Sequence, residues 1–302
     1  MGNNYYQTSK GEKVFSYINY FIIIAFCLTV ILPFINIFAL SFNSGVDAQK
    51  GGVYFWPREW TFDNFKEVFS QSSILGGFYI SLFRTILGTL ISVFLTAMAA
   101  YALKSKTLPW RKQITFFIFF TMLFSGGIVP YYMVLKELQL TNSIWVYIIP
   151  SLYSVWNIII MRTFFYQIPE SVEEAAKIDG CGDFAIFFKI ILPMSIPVVA
   201  AIGLFNAVGH WNDWFSGAFY VRDQSLKPLS TLLQEMLTRQ EALQNALLRS
   251  SGTNYDLVDK VLITGESLKM ATIVIVVTPI ILVYPLLQKH FIKGVNIGSV
   301  KE

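Results

Sequence analysis

Long apolar runs separated by short polar segments organise this chain. A helix needs about 20 apolar residues to cross a bilayer, and six stretches qualify: 21–42, 78–103, 114–135, 144–165, 193–221 and 270–287. The fifth is the most polar. The first is longer than the apolar core of a signal peptide and no small-residue cleavage site follows it, so it is expected to remain as an anchor. Pro33, Pro130, Pro150, Pro197, Pro279 and Pro285 lie in or near these spans. Kinks are expected there, with neighbouring helices satisfying the freed carbonyls.

The pattern changes between the fourth and fifth spans, where residues 166–192 are polar and carry helix signals. Ser171-Val172-Glu173-Glu174 fits a capping box, with the Ser171 hydroxyl accepting the amide of residue 174 and Glu174 reaching back. Pro169 separates this helix from the fourth span. Gly180 is suited to the left-handed conformation that closes a helix. A second helix then carries Phe184, Phe187, Phe188 and Ile191 at i, i+3, i+4 and i+7, one apolar face. Pro193 marks entry to the fifth span. Ala175 and Ala176 have almost no side chain, so another protein can approach closely. Glu174 and Asp179 offer carboxylates for charge-assisted hydrogen bonds. The other reading is an amphipathic helix resting on the membrane, but such helices are usually basic. This one has Glu170, Glu173, Glu174, Asp179 and Asp183 against Lys177 and Lys189, which favours a protein partner.

Composition agrees with a membrane protein. The chain has 302 residues, 54% of them hydrophobic and only 14% charged, against about 25% charged in soluble domains. Mean hydropathy is +0.54. With the N-terminus inside, the segments 1–17, 104–113, 162–192 and 288–302 hold 12 Lys and Arg against 7 acidic residues, and the outer segments hold 10 against 11. The positive-inside rule therefore puts both termini in the cytoplasm. Lys104, Lys106, Arg111 and Lys112 form the densest basic cluster. Cys27 and Cys181 lie in an apolar span and a polar loop, so both are expected to be small buried hydrophobes and not a disulfide.

Motifs for nucleotide or metal chemistry are missing from the sequence. No phosphate-binding GxxxxGK[ST] run occurs, and no paired Cys or HExxH pattern suggests a metal. His210 and His290 are not expected to meet. Ion-coupled carriers usually bury acids or histidines at the midplane. Here Arg84 and Asp213 fall within spans, each towards an outer end. Arg84 is expected to be a structural anchor that snorkels outward or pairs with a neighbouring subunit.

Aromatic platforms with amide or carboxylate partners can bind a solute that has both polar groups and apolar faces. Tyr153, Trp156 and Asn157 in the fourth span form one candidate cluster, with Tyr153 and Asn157 on one face at i and i+4. Trp211, Asn212, Asp213 and Trp214 in the fifth form the other. Aromatic residues are also ordinary at membrane interfaces, and Asn commonly bonds another helix. Trp56, Pro57, Trp60 and Phe62 in the first outer segment read as an interfacial aromatic lip. The second outer segment, 218–269, has apolar residues from Leu229 to Leu248 at helical spacing, an amphipathic helix over the outer mouth or a lid on neighbouring subunits.

The run from Glu174-Ala175-Ala176 through Gly180, six residues after Glu174, to Ile190, Leu192 and Pro193 resembles the EAA loop of ABC-importer permeases. Cys181 stands where Ala is common, a small-for-small change. The stretches WNIIIMRTFFYQIPESVEEAAKIDG and HWNDWFSGAFYVRD are similar to the carbohydrate-uptake branch, the type of the maltose importer's shorter permease. The closing ESLKMATIVIVVTPIILVYPLLQKHFIKGVNIGSVKE resembles a subgroup that imports oligosaccharides or polysaccharide fragments in Gram-positive bacteria.

The resemblance implies an all-α, six-span permease of the type I ABC-importer fold, occupying 1–302 as one transmembrane domain in the cell membrane. Glu174, Ala175, Ala176, Asp179 and Gly180 would contact a cytoplasmic ATPase, and Leu192 and Pro193 would set the return into the membrane. The implied partners are a second, homologous permease, two ATPase copies and an extracellular solute-binding lipoprotein, with lipid around them and no nucleic acid. This chain would bind no cofactor and catalyse no reaction, with ATP and Mg held by the ATPase. A permease for a non-sugar solute and an ion-coupled carrier are the other readings.

Overall fold

The structure, a computed structural model, describes residues 10–48, 50–249, 267–283 and 285. Helices follow one another along the chain: α1 Lys10–Ser41, α2 Gly45–Ala48, α3 Asp63–Ser70, α4 Ser72–Lys104, α5 Arg111–Leu123, α6 Ile128–Glu137, α7 Val155–Phe165, α8 Glu170–Ile178, α9 Asp183–Ile186, α10 Leu192–Met194, α11 Ile196–Asn212, α12 Phe215–Tyr220, α13 Leu229–Arg249 and α14 Ser267–Val283. Short 3₁₀ turns precede α7, and among the described residues β pairing is confined to an isolated bridge between Asn43 and Trp60.

The chain divides into two compact units, 1–70 with 239–275 and 71–238 with 276–302. In the first, α1 runs unbroken through Pro33 and leaves Phe15, Phe21, Phe26 and Phe38 more than half exposed, as a lipid-facing helix requires. The loop that follows it is tied by Asn43, which is fully buried. The Asn43 amide oxygen accepts the N–H groups of Arg58 and Glu59, and its nitrogen donates to Asp47. Arg58 donates to the same Asp47 carboxylate at 2.9 Å. This knot presents Trp56 and Trp60, 5.2 Å apart edge to face, on the exposed surface.

In the second unit α4 is the central helix. Its buried face reads Gly77, Ser81, Arg84, Gly88, Ser92, Thr96 and Ala100, mostly small residues spaced by four, so α7 and α11 approach closely. Towards one end, Ala97, Ala100 and Leu103 join Ile158, Met161, Phe165, Ile186, Ile191 and Ile202 in a continuous apolar core.

Among the described residues two helices, α1 and α4, are individually long and apolar enough to cross a membrane, and three bent pairs qualify only as pairs. The third expected span is broken between α5 and α6, with a bend of 119°. Gly127 adopts φ +84 there, a conformation open to glycine at no steric cost. The fourth begins as 3₁₀ turns around Pro150 and bends 44° before α7. The fifth differs most from expectation. Its helix α11 starts at Ile196, after an 80° bend at Ser195, and ends at Asn212, well short of Val221. Part of the expected sixth span, with His290, lies outside the described residues; α14 covers Ser267–Val283.

Candidate functional site

Residues 166–192 fold as a helix, a tight turn and a second helix. The capping box does not form. Pro169 occupies the N-cap position without a side-chain bond, and Ser171 is already inside the first turn. The acids of that turn are used differently. Glu173 pairs with Lys104 and Glu170 with Lys106 at 2.7 Å, fastening α8 to the end of α4. Hydrogen bonding to Lys106 holds the Glu170 carboxyl below its ordinary pKa. Gly180 closes the helix with φ +81. Its N–H reaches the Lys177 carbonyl at 3.0 Å, and the Cys181 N–H reaches Ala176 at 2.9 Å. This is the paired bonding of a glycine-terminated helix.

The helix thus has two sides. Ala176 is buried in the apolar core, so it is not available for close approach from outside as expected. Glu174, Ala175, Asp179 and Gly180 are exposed. Ile178 stands 86% exposed beside them. Among the described residues Glu174 and Asp179 have no cation partner, whereas Lys177 pairs with Asp183 at 3.7 Å. A protein surface carrying Arg or Lys around an apolar notch would complement this tip. An open cleft of about 640 Å³ lies beside it, lined among others by Tyr101, Lys104, Glu174, Lys177 and Phe187.

The single apolar face expected for the second helix is split. Residues Phe187–Ile191 form a π turn, which has a wider period than an α-helix. Ile186 and Ile191, five apart, therefore both point inward and are fully buried, together with Phe187. Phe184 and Phe188 are left 72% and 46% exposed. Phe188 stacks on Phe94 at 6.1 Å, and Phe187 meets Tyr101 at 5.3 Å. Leu192 and the exposed Pro193 follow the π turn, immediately before the bend at Ser195.

The two aromatic clusters contain different kinds of residue. Tyr153 lies before α7, not on it, because Ser154 caps the helix by accepting the Asn157 N–H. Tyr153 and Asn157 therefore do not share a helical face. Tyr153 and Trp156 are 50% and 61% exposed, while Asn157 is buried and donates to Asn206 across to α11. Trp211 is also buried, its indole N–H donating to the Val276 carbonyl at 2.9 Å. Asn212 is exposed and Trp214 is 40% exposed.

Asp213 belongs to a structural node. Arg84 neither snorkels nor waits for another subunit: it is fully buried and bonds within the chain. Its guanidinium reaches the Asp213 carbonyl at 2.6 Å, the Asp213 carboxylate at 3.5 Å and the Ser230 hydroxyl at 3.1 Å. It also lies 5.0 Å from the Tyr147 ring centroid. One turn along α4, Gly88 faces the His210 imidazole so closely that a Cβ would stand 2.5 Å from it. Gly77 is filled in the same way by Leu232 and the backbone at Leu229.

Sequence reasoning missed Ile178, the Lys104 and Lys106 clamp, and the Arg84 node. An exposed Ile at the end of an otherwise polar helix was a visible signal for the first. The others depend on which loops meet, and no local pattern carries that.

An all-helical chain of membrane-spanning character, with a polar helical loop between its apolar segments, is what these observations define. The chain belongs to the family described as binding-protein-dependent transport system inner membrane component, which matches residues 73–297. It is thus a permease subunit of an ABC importer in the cell membrane, working with an ATPase and a binding protein, and it is not an enzyme. It is 37% identical over 290 residues to the polygalacturonan/rhamnogalacturonan transport system permease protein YtcP of Bacillus subtilis (strain 168), covering 96% of this chain and 99% of that one. It is 38% identical over 293 residues to Protein LplC of the same organism, covering 97% of each. Among solved structures, a chain of a bacterial ABC transporter involved in the import of the acidic polysaccharide alginate superposes with a TM-score of 0.81 at 28% identity, covering 94% of this chain and 99% of that chain.

Proposed function

We propose that this permease carries an oligosaccharide or polysaccharide fragment into the cytoplasm, driven through α8 by a separate ATPase. The single observation that carries the substrate class is the full-length likeness to a polygalacturonan/rhamnogalacturonan permease. Residues 1–302 act as one transmembrane domain beside a homologous partner permease. Two ATPase copies dock on the two coupling loops, and an extracellular binding lipoprotein delivers the sugar. Both termini of this chain are cytoplasmic.

The mechanism follows from the exposed tip. Glu174 and Asp179 pair with basic groups of the ATPase, Ile178 enters an apolar notch, and Ala175 lets the surfaces close together. Glu173 and Glu170 face the other way and hold α8 to α4 through Lys104 and Lys106. When ATP draws the ATPase dimer together, α8 moves and α4 moves with it. Leu192 and Pro193 connect the same motion to α11. ATP binding and the direction in which the cavity opens are then linked equilibria. Tyr153, Trp156, Asn212 and Trp214 are the exposed members of the two aromatic clusters and serve as sugar contacts, with Asn157, Trp211 and Asp213 behind them as supports.

Uptake of labelled galacturonate oligomers, measured beside neutral oligosaccharides, peptides and phosphate in cells with and without this permease, tests the reading. Permease-dependent uptake of a sugar oligomer is expected. Permease-dependent uptake of peptide or phosphate, with no sugar taken up, overturns it.

A further inference from the structure

The inner basic cluster divides into occupied and unoccupied cations. Lys104, Lys106 and Lys177 are paired with Glu173, Glu170 and Asp183. Arg111 and Lys112 at the start of α5, with Arg162 near the end of α7, have no carboxylate partner among the described residues, and the first turn of α5 contains no acid. These three cations line one pocket of about 340 Å³ together with Thr115, Phe116 and Phe119.

The two guanidinium groups are held by neutral acceptors, which fix their positions without cancelling their charge. Arg111 donates to the carbonyls of Lys104 and Ser105 at 3.4 and 3.5 Å. Arg162 donates to the Tyr166 hydroxyl at 3.0 Å and lies 5.3 Å from that ring's centroid. Lys112 is exposed. Along α5, Phe116 and Phe119 follow Lys112 at i+4 and i+7, on the same helix face. They are 71% and 43% exposed. The pocket therefore has a cationic end at the edge of the span and an aromatic strip leading from it into the apolar region.

An acidic protein surface would match the cations but would leave that strip unmatched, because Phe119 lies about 10 Å along the helix from Lys112. An anionic amphiphile matches both. We propose that the pocket binds the phosphate headgroup of an anionic glycerophospholipid from the leaflet on the coupling-loop side, with an acyl chain lying along Phe116 and Phe119. Planar guanidinium groups suit a phosphate diester, which they can grip with paired hydrogen bonds. Basic pockets between membrane helices recognise anionic headgroups in this manner. The assignment is independent of which sugar is carried.

The test uses the intact importer complex in nanodiscs of phosphatidylcholine containing phosphatidylglycerol, with retained lipids counted by native mass spectrometry. Preferential retention of phosphatidylglycerol is expected. Lys112 is exposed and makes no hydrogen bond or ion pair among the described residues, so K112Q breaks no polar contact of the fold. It should weaken the preference about fivefold, and R111Q/K112Q/R162Q on the order of a hundredfold. R111K/R162K keeps the charge but not the paired hydrogen bonds, so it should fall between the unaltered protein and the triple variant, and K106Q should keep all of the preference. An unchanged preference in both K112Q and the triple variant overturns the proposal. So does displacement of the lipid by millimolar inorganic phosphate, which would mark a site for a free anion.

Discussion

Arg84 is bound more closely to the backbone of Asp213 than to its side chain: 2.6 Å to the carbonyl oxygen against 3.5 Å to the carboxylate. A buried guanidinium is thus hydrogen-bonded mainly to peptide carbonyls and a hydroxyl, with the Asp213 carboxylate as its counter-charge, at the point where α11 ends. R84M should cost about 3 kcal/mol, because it strands these acceptors inside the protein. D213N keeps the carbonyl but removes a charge-assisted bond, and should cost less, about 1.5–2 kcal/mol. Thermal unfolding of the purified complex checks the order. Equal loss in the two variants would place the weight on the carboxylate.

The contact between Gly88 and His210 leaves no room for a methyl group. G88A should destabilise the complex by about 1–3 kcal/mol through overpacking. H210A alone removes packing and also destabilises. Combined with G88A it should restore most of the loss, since the new methyl fills the vacated space. A double-mutant cycle by thermal unfolding measures this coupling, and simple additivity would contradict the close approach.

At the tip of α8, I178D should abolish stable co-purification of the ATPase. Burying one Ile side chain contributes about 1.5–3 kcal/mol, or roughly 10- to 150-fold in affinity. E174K should weaken the complex as well, by reversing an unpaired charge. A176L acts differently, since Ala176 faces the chain's own core: it should lower the yield of folded permease. Normal ATPase binding by both I178D and E174K would remove this tip from the interface.

The clamp between Glu170 and Lys106 should depend on pH in one direction only. The folded carboxyl has a pKa below its ordinary value of 4.5. Its contribution is therefore fully present above pH 4.5 and is lost as pH falls through the depressed folded value. Spin-label distances between α8 and the end of α4 should be constant from neutral pH down to about 5 and lengthen in more acidic solution. K106Q should show no such step from this carboxyl.

G180V should strain the turn, because a β-branched residue at φ +81 costs roughly 1–2 kcal/mol. G180N should be tolerated better. Cysteine accessibility at position 181 in the two variants reports whether the turn has kept its shape.

The sequence carried the membrane class and the outline of the helical loop, because apolar runs and a helix-ending glycine are local signals. Gly180 takes the left-handed conformation for the steric reason that its missing Cβ allows. The start of the same helix was less legible. A capping box and an acidic first turn look alike in sequence, and the choice was made by Lys104 and Lys106, some 65 residues away. The same holds for the aromatic clusters. Trp211 and Trp214 are three residues apart, yet one is buried against the Val276 carbonyl while the other is 40% exposed. Arg84 was visible as an anomaly, an ion within an apolar run, but its partners lie 127 to 146 residues further along.

The π turn at Phe187–Ile191 acts as an angular setting device. Each residue added to or removed from a helix rotates the chain beyond it by about 100°. Deleting the exposed Lys189 would relax the turn to α geometry and swing the α8 tip about 100° in azimuth relative to Pro193. Ile178 and Glu174 would then face a different compass bearing, while every residue that forms the tip stayed the same. One residue of chain length thus sets the direction in which this permease presents α8.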